Sequence, residues 1–315
     1  MLNKIKNLLY IIKNLSSEIS ALKYSVYSLN DNLNSLKTLV GKQISNQNKL
    51  CENILLKNIQ DSEFKVFSQW GDDGIIQFLV NYLNIKNKTF IEFGVENYKE
   101  ANTRFLLINN NWSGLIIDGS EENIKSVKSE DLYWQQNLQA KAAFVTKENI
   151  NKLILDAEIK GKIGLLHIDI DGNDYWIWNE INVISPDIVI MEYNSVFGET
   201  NPWTIPYQKD FNRTKAHFSN LYFGSSLTSL CDLAKEKGYI FIGCNRAGNN
   251  AYFVKKIISQ KLKPLTCKQG YVQSKFRESR DIQGNLTHIS GLYRLATIKG
   301  LPIFNTKTNK IETIE

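Results

Sequence analysis

The sequence predicts an α/β domain built around a mostly parallel sheet and preceded by an N-terminal coiled-coil helix. Two observations predict this fold class. The first forty residues repeat apolar side chains at alternating spacings of three and four, which is the heptad pattern of a coiled coil. From residue 61 onward, short apolar runs alternate with helical patterns, the order that builds a parallel sheet from βαβ units. A chain of 315 residues, 43% of them hydrophobic, is long enough for both parts.

The heptad pattern defines a predicted coiled coil over residues 1–42. With Ile5 at position a, the positions a and d are filled by Ile5, Leu8, Ile12, Leu15, Ile19, Leu22, Val26, Leu29, Leu33, Leu36 and Val40. Mostly β-branched residues at a and leucine at every d favour a parallel dimer. Leu9, Ile11 and Leu39 widen the stripe, so a trimer and a helix covering its own domain are alternatives. We interpret the polar residues 43–60, which follow Gly41, as a connector.

Composition excludes several classes of protein. Residues 1–60 hold eight lysines and three acidic residues, so most of the formal charge of +6 lies there and the remainder is nearly neutral. A nucleic-acid groove is therefore not expected. No run of about 20 apolar residues is present, so no transmembrane segment is expected, although the N-terminal lysines Lys4, Lys6 and Lys13 leave contact with a membrane surface open. Four widely spaced cysteines indicate neither a zinc site nor disulfides, and a cytoplasmic location fits best.

The apolar runs of the second part predict seven strands. Five parallel strands are expected at Thr89–Gly94, Gly114–Gly119, Ala142–Thr146, Ile163–Asp171 and Asp187–Asn194, and an antiparallel hairpin at Tyr239–Cys244 and Ala251–Lys255. We assign residues 61–258 to the α/β domain and 259–315 to a C-terminal extension that packs on it. Because open α/β sheets bind ligands at the carboxyl ends of their strands, the polar residues at those ends are the candidate site.

The first two predicted strands each end in an acidic residue. Glu92 and Gly94 end the first strand, where a glycine allows the backbone to approach a ligand closely. Val95-Glu96-Asn97-Tyr98 follows Gly94 in place of a glycine-rich loop, which disfavours a dinucleotide pyrophosphate cradle. Asp118 ends the second strand, where such folds accept hydrogen bonds from ribose hydroxyls. The spacing of the two acids favours a nucleotide cofactor without a pyrophosphate, and the alternatives are an ordinary strand end at Glu92 and a solvated Asp118 that opens a turn.

The fourth predicted strand ends in a cluster of acids. Period-two geometry places His167, Asp169 and Asp171 on one face of the strand, and Glu192 ends the next strand. Carboxylates this close together either raise a pKa or hold a cation. They are candidates for Mg²⁺ or Mn²⁺ ligands, or for a general base; the alternative is that they only cap backbone and begin a turn.

These segments resemble the FkbM-like family of S-adenosylmethionine (SAM)-dependent methyltransferases, which serve bacterial polysaccharide and small-molecule biosynthesis. The resemblance covers roughly residues 65–256. It rests on Phe67–Gly74, Glu92–Gly94, Ile117–Asp118, Ile168–Gly172 with Asp174, and Glu192–Asn194. Five parallel strands followed by an antiparallel hairpin is also the order of elements in the class I methyltransferase sheet.

The resemblance implies roles for individual residues. Glu92 and Gly94 would lie beside the methionine part of SAM, Gln69 near the cofactor, Asp118 at its ribose, and Asp169 and Asp171 near the transferred methyl group. His217, between the fifth strand and the next helix, lies where substrate-covering insertions of this fold commonly occur. We expect it to be a catalytic base or a substrate ligand, with a surface histidine as the alternative.

Three functions follow from the sequence. The first is a SAM-dependent O-methyltransferase acting on a sugar or sugar-nucleotide in surface glycan biosynthesis, with Mg²⁺ or Mn²⁺ as an optional cofactor at Asp169, Asp171 and Glu192. The second is a metal-dependent glycosyltransferase, because Asp169-Ile-Asp171 is formally a D-x-D motif. The third is a non-catalytic scaffold with a degenerate methyltransferase domain, which the missing glycine-rich loop favours.

Overall fold

A twisted sheet of mostly parallel strands forms the centre of the computed structural model. The structure describes residues 2–275 and 278–315, so Met1 of the predicted coiled coil and Phe276 and Arg277 of the predicted extension lie outside it. The described strands are β1 Thr89–Phe93, β2 Ser113–Asp118, β3 Leu138–Ala142, β4 Gly161–Ile168, β5 Ile184–Glu192, β6 Trp203–Thr204, β7 Tyr239–Cys244, β8 Asn250–Lys255, β9 Pro302–Asn305 and β10 Lys310–Thr313.

Seven of these strands form the main sheet in the order β3-β2-β1-β4-β5-β8-β7. Strands β1 to β5 pair in parallel, and β8 is antiparallel to both β5 and β7. The predicted fold class is confirmed: a parallel sheet is followed by an antiparallel hairpin. The chain runs outward from β1 to β3 and then returns to the other side of β1 at β4, so a topological switch point lies between β1 and β4.

The third strand was predicted too late in the chain. It occupies Leu138–Ala142, whereas the sequence favoured Ala142–Thr146. As an edge strand it buries only alternate residues, Leu138 and Ala140, so its sequence lacks the continuous apolar run of a central strand. The prediction relied on apolar residues that follow the strand, and three of these, Ala143, Phe144 and Val145, line the cavity described below.

Helices cover both faces of the sheet. The described α-helices are α1 Leu2–Leu50, α2 Glu52–Leu55, α3 Asp72–Tyr82, α4 Arg104–Asn110, α5 Glu121–Ser129, α6 Asp131–Gln135, α7 Ile150–Leu155, α8 Asp174–Glu180, α9 Arg213–Ala216, α10 Leu227–Glu236, α11 Cys267–Gly270 and α12 Leu292–Thr297. Successive β1 residues alternate between the two faces, with Phe90 in one apolar layer and Ile91 and Phe93 in the other. None of the described helices is long and apolar enough to cross a membrane.

Helix α1 is continuous and reaches Leu50, well past the predicted end of the coiled coil. Gly41 does not end the helix. It is buried where the helix packs on the domain, and a Cβ at this position would stand 2.6 Å from Val66 Cγ2. The glycine therefore serves close packing, and the segment interpreted as a connector begins as helix that docks on the domain.

A second, smaller sheet joins the C-terminal residues to the segment after β5. Strand β9 pairs antiparallel with both β10 and β6. Ile298, Ile303 and Ile314 share an apolar cluster with Phe197 and Phe223. The C-terminal residues thus close over the chain that follows β5, on the side of the sheet where the cavity opens.

Candidate active site

One large cavity lies at the carboxyl ends of β1, β2, β4 and β5, at the switch point of the sheet. Its volume is about 570 Å³, within the usual range for small-molecule sites. Eight carboxylate residues line it, and Arg213 is the one lysine or arginine among the described lining residues. The eight acids are Glu92, Glu96, Glu100, Asp118, Asp169, Asp171, Glu192 and Glu278. The described wall is therefore strongly acidic.

Gly94 holds the end of β1 against the end of β4. Its φ is +72°, a left-handed conformation that favours glycine. A Cβ at residue 94 would stand 1.6 Å from the carbonyl oxygen of Asp169. The sequence predicted a close approach to a ligand at this glycine, whereas the close neighbour that the structure describes is this chain's own backbone.

Glu92 is buried in the cavity wall, and both of its carboxylate oxygens accept hydrogen bonds from the protein. Its Oε1 accepts from the backbone N–H of Asn102 (2.9 Å) and from His167 Nδ1 (2.9 Å). Its Oε2 accepts from the N–H (3.0 Å) and the hydroxyl of Thr103. Burial opposes the charge, but the hydrogen bonds from His167, Thr103 and Asn102 prevail and lower the pKa of Glu92. An ionised Glu92 therefore anchors the turn at residues 101–103.

His167 connects this network to the cavity. A carboxylate can only accept, so Nδ1 carries the hydrogen shared with Glu92. The other ring nitrogen, Nε2, lies 3.1 Å from the amide Nδ2 of Asn102 and accepts from it in the neutral tautomer. Both ring nitrogens are thus occupied by protein groups, and His167 orients the wall of the cavity.

Asp118, at the end of β2, holds the two loops that flank the cavity. Its Oδ2 accepts from the N–H of Glu96 (2.8 Å), and its Oδ1 accepts from the N–H of Ser120 (2.8 Å) and from Asn123 Nδ2 (3.1 Å). Each carboxylate oxygen has two lone pairs, so Oδ2 keeps capacity for a ligand hydroxyl. The side chain is 9% exposed and faces the cavity.

An apolar wall lies next to Asp118. Ile117, Ala143, Phe144 and Val145 line this part of the cavity, and Phe144 stays 51% exposed. Gly119 lies beside it, since a Cβ there would be 3.7 Å from the Phe144 ring. An exposed aromatic face beside a small residue offers space for a flat ring to stack.

Asp169, Asp171 and Glu192 come together on the opposite side of the cavity. One carboxylate oxygen from each lies within 4.8 Å of the others. Burial, followed by the charges of Glu192, Asp171 and Asp174, raises the pKa of Asp169 well above its ordinary value. Strand β4 ends at Ile168, so the cluster is built by the following turn and not by strand periodicity. Asp171 itself is left-handed, with φ +53°.

The turn after β4 is fixed by Asp174, at the start of α8. Its two carboxylate oxygens accept from the N–H groups of Ile170 (2.8 Å) and Gly172 (2.9 Å). Burial, together with the charge of Glu192, raises the pKa of Asp174 to about 7. Asp174 thereby aims Asp169 and Asp171 at the cavity.

Arg213 supplies positive charge to this cluster. Its Nη1 lies 2.5 Å from Asp171 Oδ1, its Nε donates to the carbonyl of Asn220 (2.8 Å), and its guanidinium stacks 3.9 Å above the Phe223 ring. Its 16% exposed side chain and its pairing with Asp171 place it in the wall of the site.

The remaining predicted site residues divide. Gln69 lines the cavity. The loop just before it is held by Asp73, whose carboxylate accepts from the backbone N–H groups of Val66, Phe67 and Ser68. His217 is not among the described residues that line the cavity; its Nδ1 pairs with Ser219 Oγ at 2.8 Å. Burial lowers the pKa of His217. A role for His217 as base at this cavity therefore has no structural support.

Comparisons with known proteins give only remote likenesses. No protein-family model matches the chain, and no curated protein sequence matches it. Among solved structures it is similar to the N-terminal domain of EvdMO1 with SAH bound (11% identity, 60% of this chain and 80% of that chain, TM-score 0.40). It is also similar to a SAM-dependent methyltransferase from Clostridium acetobutylicum (12% identity, 66% and 98%, TM-score 0.40). At these TM-scores neither likeness establishes what this chain binds.

Proposed function

We propose that this chain is a SAM-dependent O-methyltransferase whose acceptor is an uncharged hydroxyl compound, with sugars as the best-fitting class. The observation that carries the proposal is Asp118. It ends the second strand of a sheet with one antiparallel strand and faces a cavity at the switch point. That position is where folds of this kind bind the ribose of a nucleoside ligand.

The charge of the cavity supports SAM over phosphate-bearing ligands. SAM carries a sulfonium and an ammonium group against one carboxylate, so it is a net cation at neutral pH. The acidic residues that dominate the described lining attract such a ligand and repel a pyrophosphate. The apolar wall around Phe144 suits the adenine ring, because bases stack well on exposed aromatic faces.

The same charge argument selects among acceptors. Asp169, Asp171 and Glu192 offer oxygens that accept hydrogen bonds from the neighbouring hydroxyls of a sugar ring. A sugar-nucleotide would bring its diphosphate into this acidic wall, where Arg213 already pairs with Asp171. We therefore favour a sugar over a sugar-nucleotide, and surface glycan biosynthesis is the process that the family resemblance implies.

Methyl transfer to oxygen is an in-line displacement. Bound SAM would supply an electrophilic methyl group and a sulfur leaving group that keeps the electrons of the carbon–sulfur bond, while this chain would align the acceptor hydroxyl and take its proton. Asp169 is the candidate base, because its raised pKa makes its carboxylate a stronger proton acceptor than an ordinary one. Glu92, His167 and Asp174 act as positioning residues in this scheme.

A divalent cation is a second candidate feature of the same cluster. Three carboxylates suit Mg²⁺ or Mn²⁺ by ligand chemistry. Asp169, Asp171 and Glu192 would hold such an ion, which would lower the pKa of an acceptor hydroxyl. Arg213 competes for Asp171, so we do not make the ion a requirement of the proposal.

The two other functions remain as outcomes of the test. A D-x-D glycosyltransferase would need the ion to hold a nucleotide-sugar diphosphate against the acidic wall, and Asp118 would then have no assigned partner. A non-catalytic scaffold would bind SAM without turnover.

The proposal is tested by calorimetric titration of SAM into the full chain. We expect micromolar binding that Asp118→Ala weakens by about 1–3 kcal/mol, the cost of leaving hydrogen-bond partners unpaired. Glu122→Ala, which removes an exposed acid on nearby α5, is the matched control and should leave the affinity unchanged. A folded protein that binds no SAM would refute the proposal and favour nucleotide sugars, titrated with and without Mg²⁺.

The acceptor is then tested with SAM carrying an isotopically labelled methyl group. Label should pass to uncharged sugars and not to the corresponding nucleotide sugars. Transfer to nucleotide sugars alone would contradict the acceptor argument while leaving the methyltransferase intact. Binding of SAM with no transfer to any acceptor in the panel would favour the scaffold.

A further inference from the structure

Most of helix α1 projects from the domain with its apolar stripe in solvent. Every described side chain from residue 3 to residue 37 is exposed. The a and d residues of the predicted heptad form a seam; those with a described side chain are between 47% and 67% exposed, namely Ile5, Ile12, Leu15, Ile19, Leu22, Val26, Leu29, Leu33, Leu36 and Val40. The alternative that this helix covers its own domain is therefore wrong for these residues, and the seam has no cover within the described chain.

The projecting helix is a single continuous element. No proline or glycine occurs before Gly41, so about 38 residues extend over about 57 Å at 1.5 Å per residue. A contiguous apolar surface of this length is rare on a monomer. Such a helix gains stability mainly from tertiary or quaternary packing of its apolar face. The seam is thus an interaction surface.

We propose that the seam pairs with the seam of a second copy of this chain in a parallel, in-register, two-stranded coiled coil. Apolar residues fill every a and d position from Ile5 to Val40, which favours a coiled-coil seam over a helix lying on a membrane. Ile5, Ile12, Ile19 and Val26 at position a, with leucine at d, favour two parallel strands.

The flanking charges agree with the parallel orientation. Glu18 occupies position g and Lys23 occupies the next position e. In a parallel pair, g of one helix faces the following e of its partner, so Glu18 of each copy meets Lys23 of the other. An antiparallel pair brings g to g and e to e, and this match of opposite charges is lost.

The C-terminal part of α1 fixes the position of the projecting helix relative to its own domain. Beyond Gly41 the helix packs on its own domain, where Asn48 Nδ2 donates to the carbonyl of Ser62 (3.3 Å) and Asn81 Nδ2 donates to Ser45 Oγ (3.2 Å). The helix is unbroken from the seam into this contact. In a parallel pair, both domains therefore lie at the same end of the two-stranded coiled coil.

The test is the mass of the full chain in solution, measured by light scattering during gel filtration. We expect twice the chain mass of 36.2 kDa. Leu22→Asp, at position d, should reduce this to the mass of one chain. The matched control is Tyr24→Asp, at position f on the same turn: it places the same charge on a residue that is 77% exposed, and the mass should stay doubled.

A wild-type mass of one chain, or an unchanged mass for Leu22→Asp, would overturn the pairing. A mass of three chains would overturn the two-stranded arrangement. A single chain that binds anionic lipid vesicles through residues 1–40 would assign the seam to a membrane surface instead. Unaltered SAM binding by Leu22→Asp would show that the domain is still folded.

Orientation is tested separately with cysteine pairs in a Cys51→Ser background. Leu36→Cys lies in the seam near one end of it, so mild oxidation should link two copies only if the helices are parallel and in register. Thr38→Cys, at position f on the same turn, is the control and should not link. Absence of the Leu36→Cys link in a protein of doubled mass would overturn the parallel orientation.

Discussion

Gly94 and Asp169 are in backbone contact at the floor of the cavity. The carbonyl oxygen of Asp169 occupies the space where a Cβ of residue 94 would stand, only 1.6 Å away. Because the same residue has φ +72°, two independent constraints require glycine. The contact joins the strand that carries Glu92 to the turn that carries the candidate base.

Replacing Gly94 by alanine should therefore cost more than backbone strain alone. We expect Gly94→Ala to lower the free energy of unfolding by about 3 kcal/mol or more, since strain and a backbone displacement add, and to abolish SAM binding. Gly161→Ala is the control, with the same φ of +72° but nothing within 4 Å of its Cβ; it should cost about 1 kcal/mol. Equal costs in urea unfolding would contradict the steric argument.

Glu92→Gln is expected to destabilise the domain although it is nearly isosteric. Both oxygens of Glu92 receive donors, from His167 and Asn102 on one side and from Thr103 on the other. In Glu92→Gln an amide NH₂ group replaces one of the two oxygens, and it cannot accept the hydrogen bonds that this oxygen accepted from its two donors. Each donor left unpaired costs about 1–3 kcal/mol. Glu96→Gln, exposed on the same loop, should change stability by less than about 0.5 kcal/mol.

The pH dependence of this effect has a definite sign. The pKa of Glu92 is lowered on folding from the ordinary value of 4.5, so its contribution is fully present above pH 4.5 and is lost as pH falls through the folded value. The difference in unfolding free energy between wild type and Glu92→Gln should therefore shrink in acid. A difference that stays constant from pH 7 to pH 3 would contradict ionisation of Glu92.

Phe144→Ala should weaken SAM binding about tenfold or more, because stacking of a base on an aromatic side chain contributes about 1–3 kcal/mol. The residue is 51% exposed and lines the cavity wall. Trp134→Ala removes an aromatic ring that is 75% exposed and is not among the cavity-lining residues, so it should leave the affinity unchanged. Calorimetry distinguishes these results, and equal affinities would remove Phe144 from the cofactor site.

Arg213→Ala tests the balance of charge in the carboxylate cluster. The guanidinium lies 2.5 Å from Asp171 and competes with any cation there. Without the guanidinium, Mg²⁺ no longer has to displace a charged hydrogen bond, which contributes about 1.5–3 kcal/mol. Removal of the guanidinium should therefore strengthen Mg²⁺ binding by about tenfold, which corresponds to the lower end of that range. Lys215→Ala, exposed on the same short helix, is the control. Equal Mg²⁺ affinity in calorimetry would show that the cluster does not hold the ion.

The sequence predicted what depends on strand ends and missed what depends on tertiary packing. Glu92, Gly94 and Asp118 could be located because an apolar run and its final polar residue are local features. The third strand was predicted at the wrong position because Phe144 and its apolar neighbours line the cavity and do not belong to the sheet. Nothing near Arg213 in the sequence reveals its pairing with Asp171, since the two meet only after the chain has passed through β5.

Gly41 is the clearest case in which a local rule gave the wrong answer. Glycine weakens a helix by about 1 kcal/mol relative to alanine, so Gly41→Ala would stabilise an isolated helix. Here a Cβ would stand 2.6 Å from Val66 Cγ2 and 3.1 Å from Phe105 Cζ, within an apolar cluster that includes Phe64 and Phe67. We therefore expect Gly41→Ala to lower the free energy of unfolding by about 1–3 kcal/mol.

The double variant Gly41→Ala with Val66→Ala separates packing from propensity. Val66→Ala alone should destabilise by leaving a small cavity, but in combination it makes room for the new methyl group. The loss of unfolding free energy in the double variant should then be smaller than the sum of the two single losses by at least about 1 kcal/mol, because substitutions at contacting residues are not additive. Urea unfolding at one fixed protein concentration is the measurement, because self-association would otherwise shift stability. Strict additivity, or stabilisation by Gly41→Ala alone, would mean that the helix does not pack on Val66.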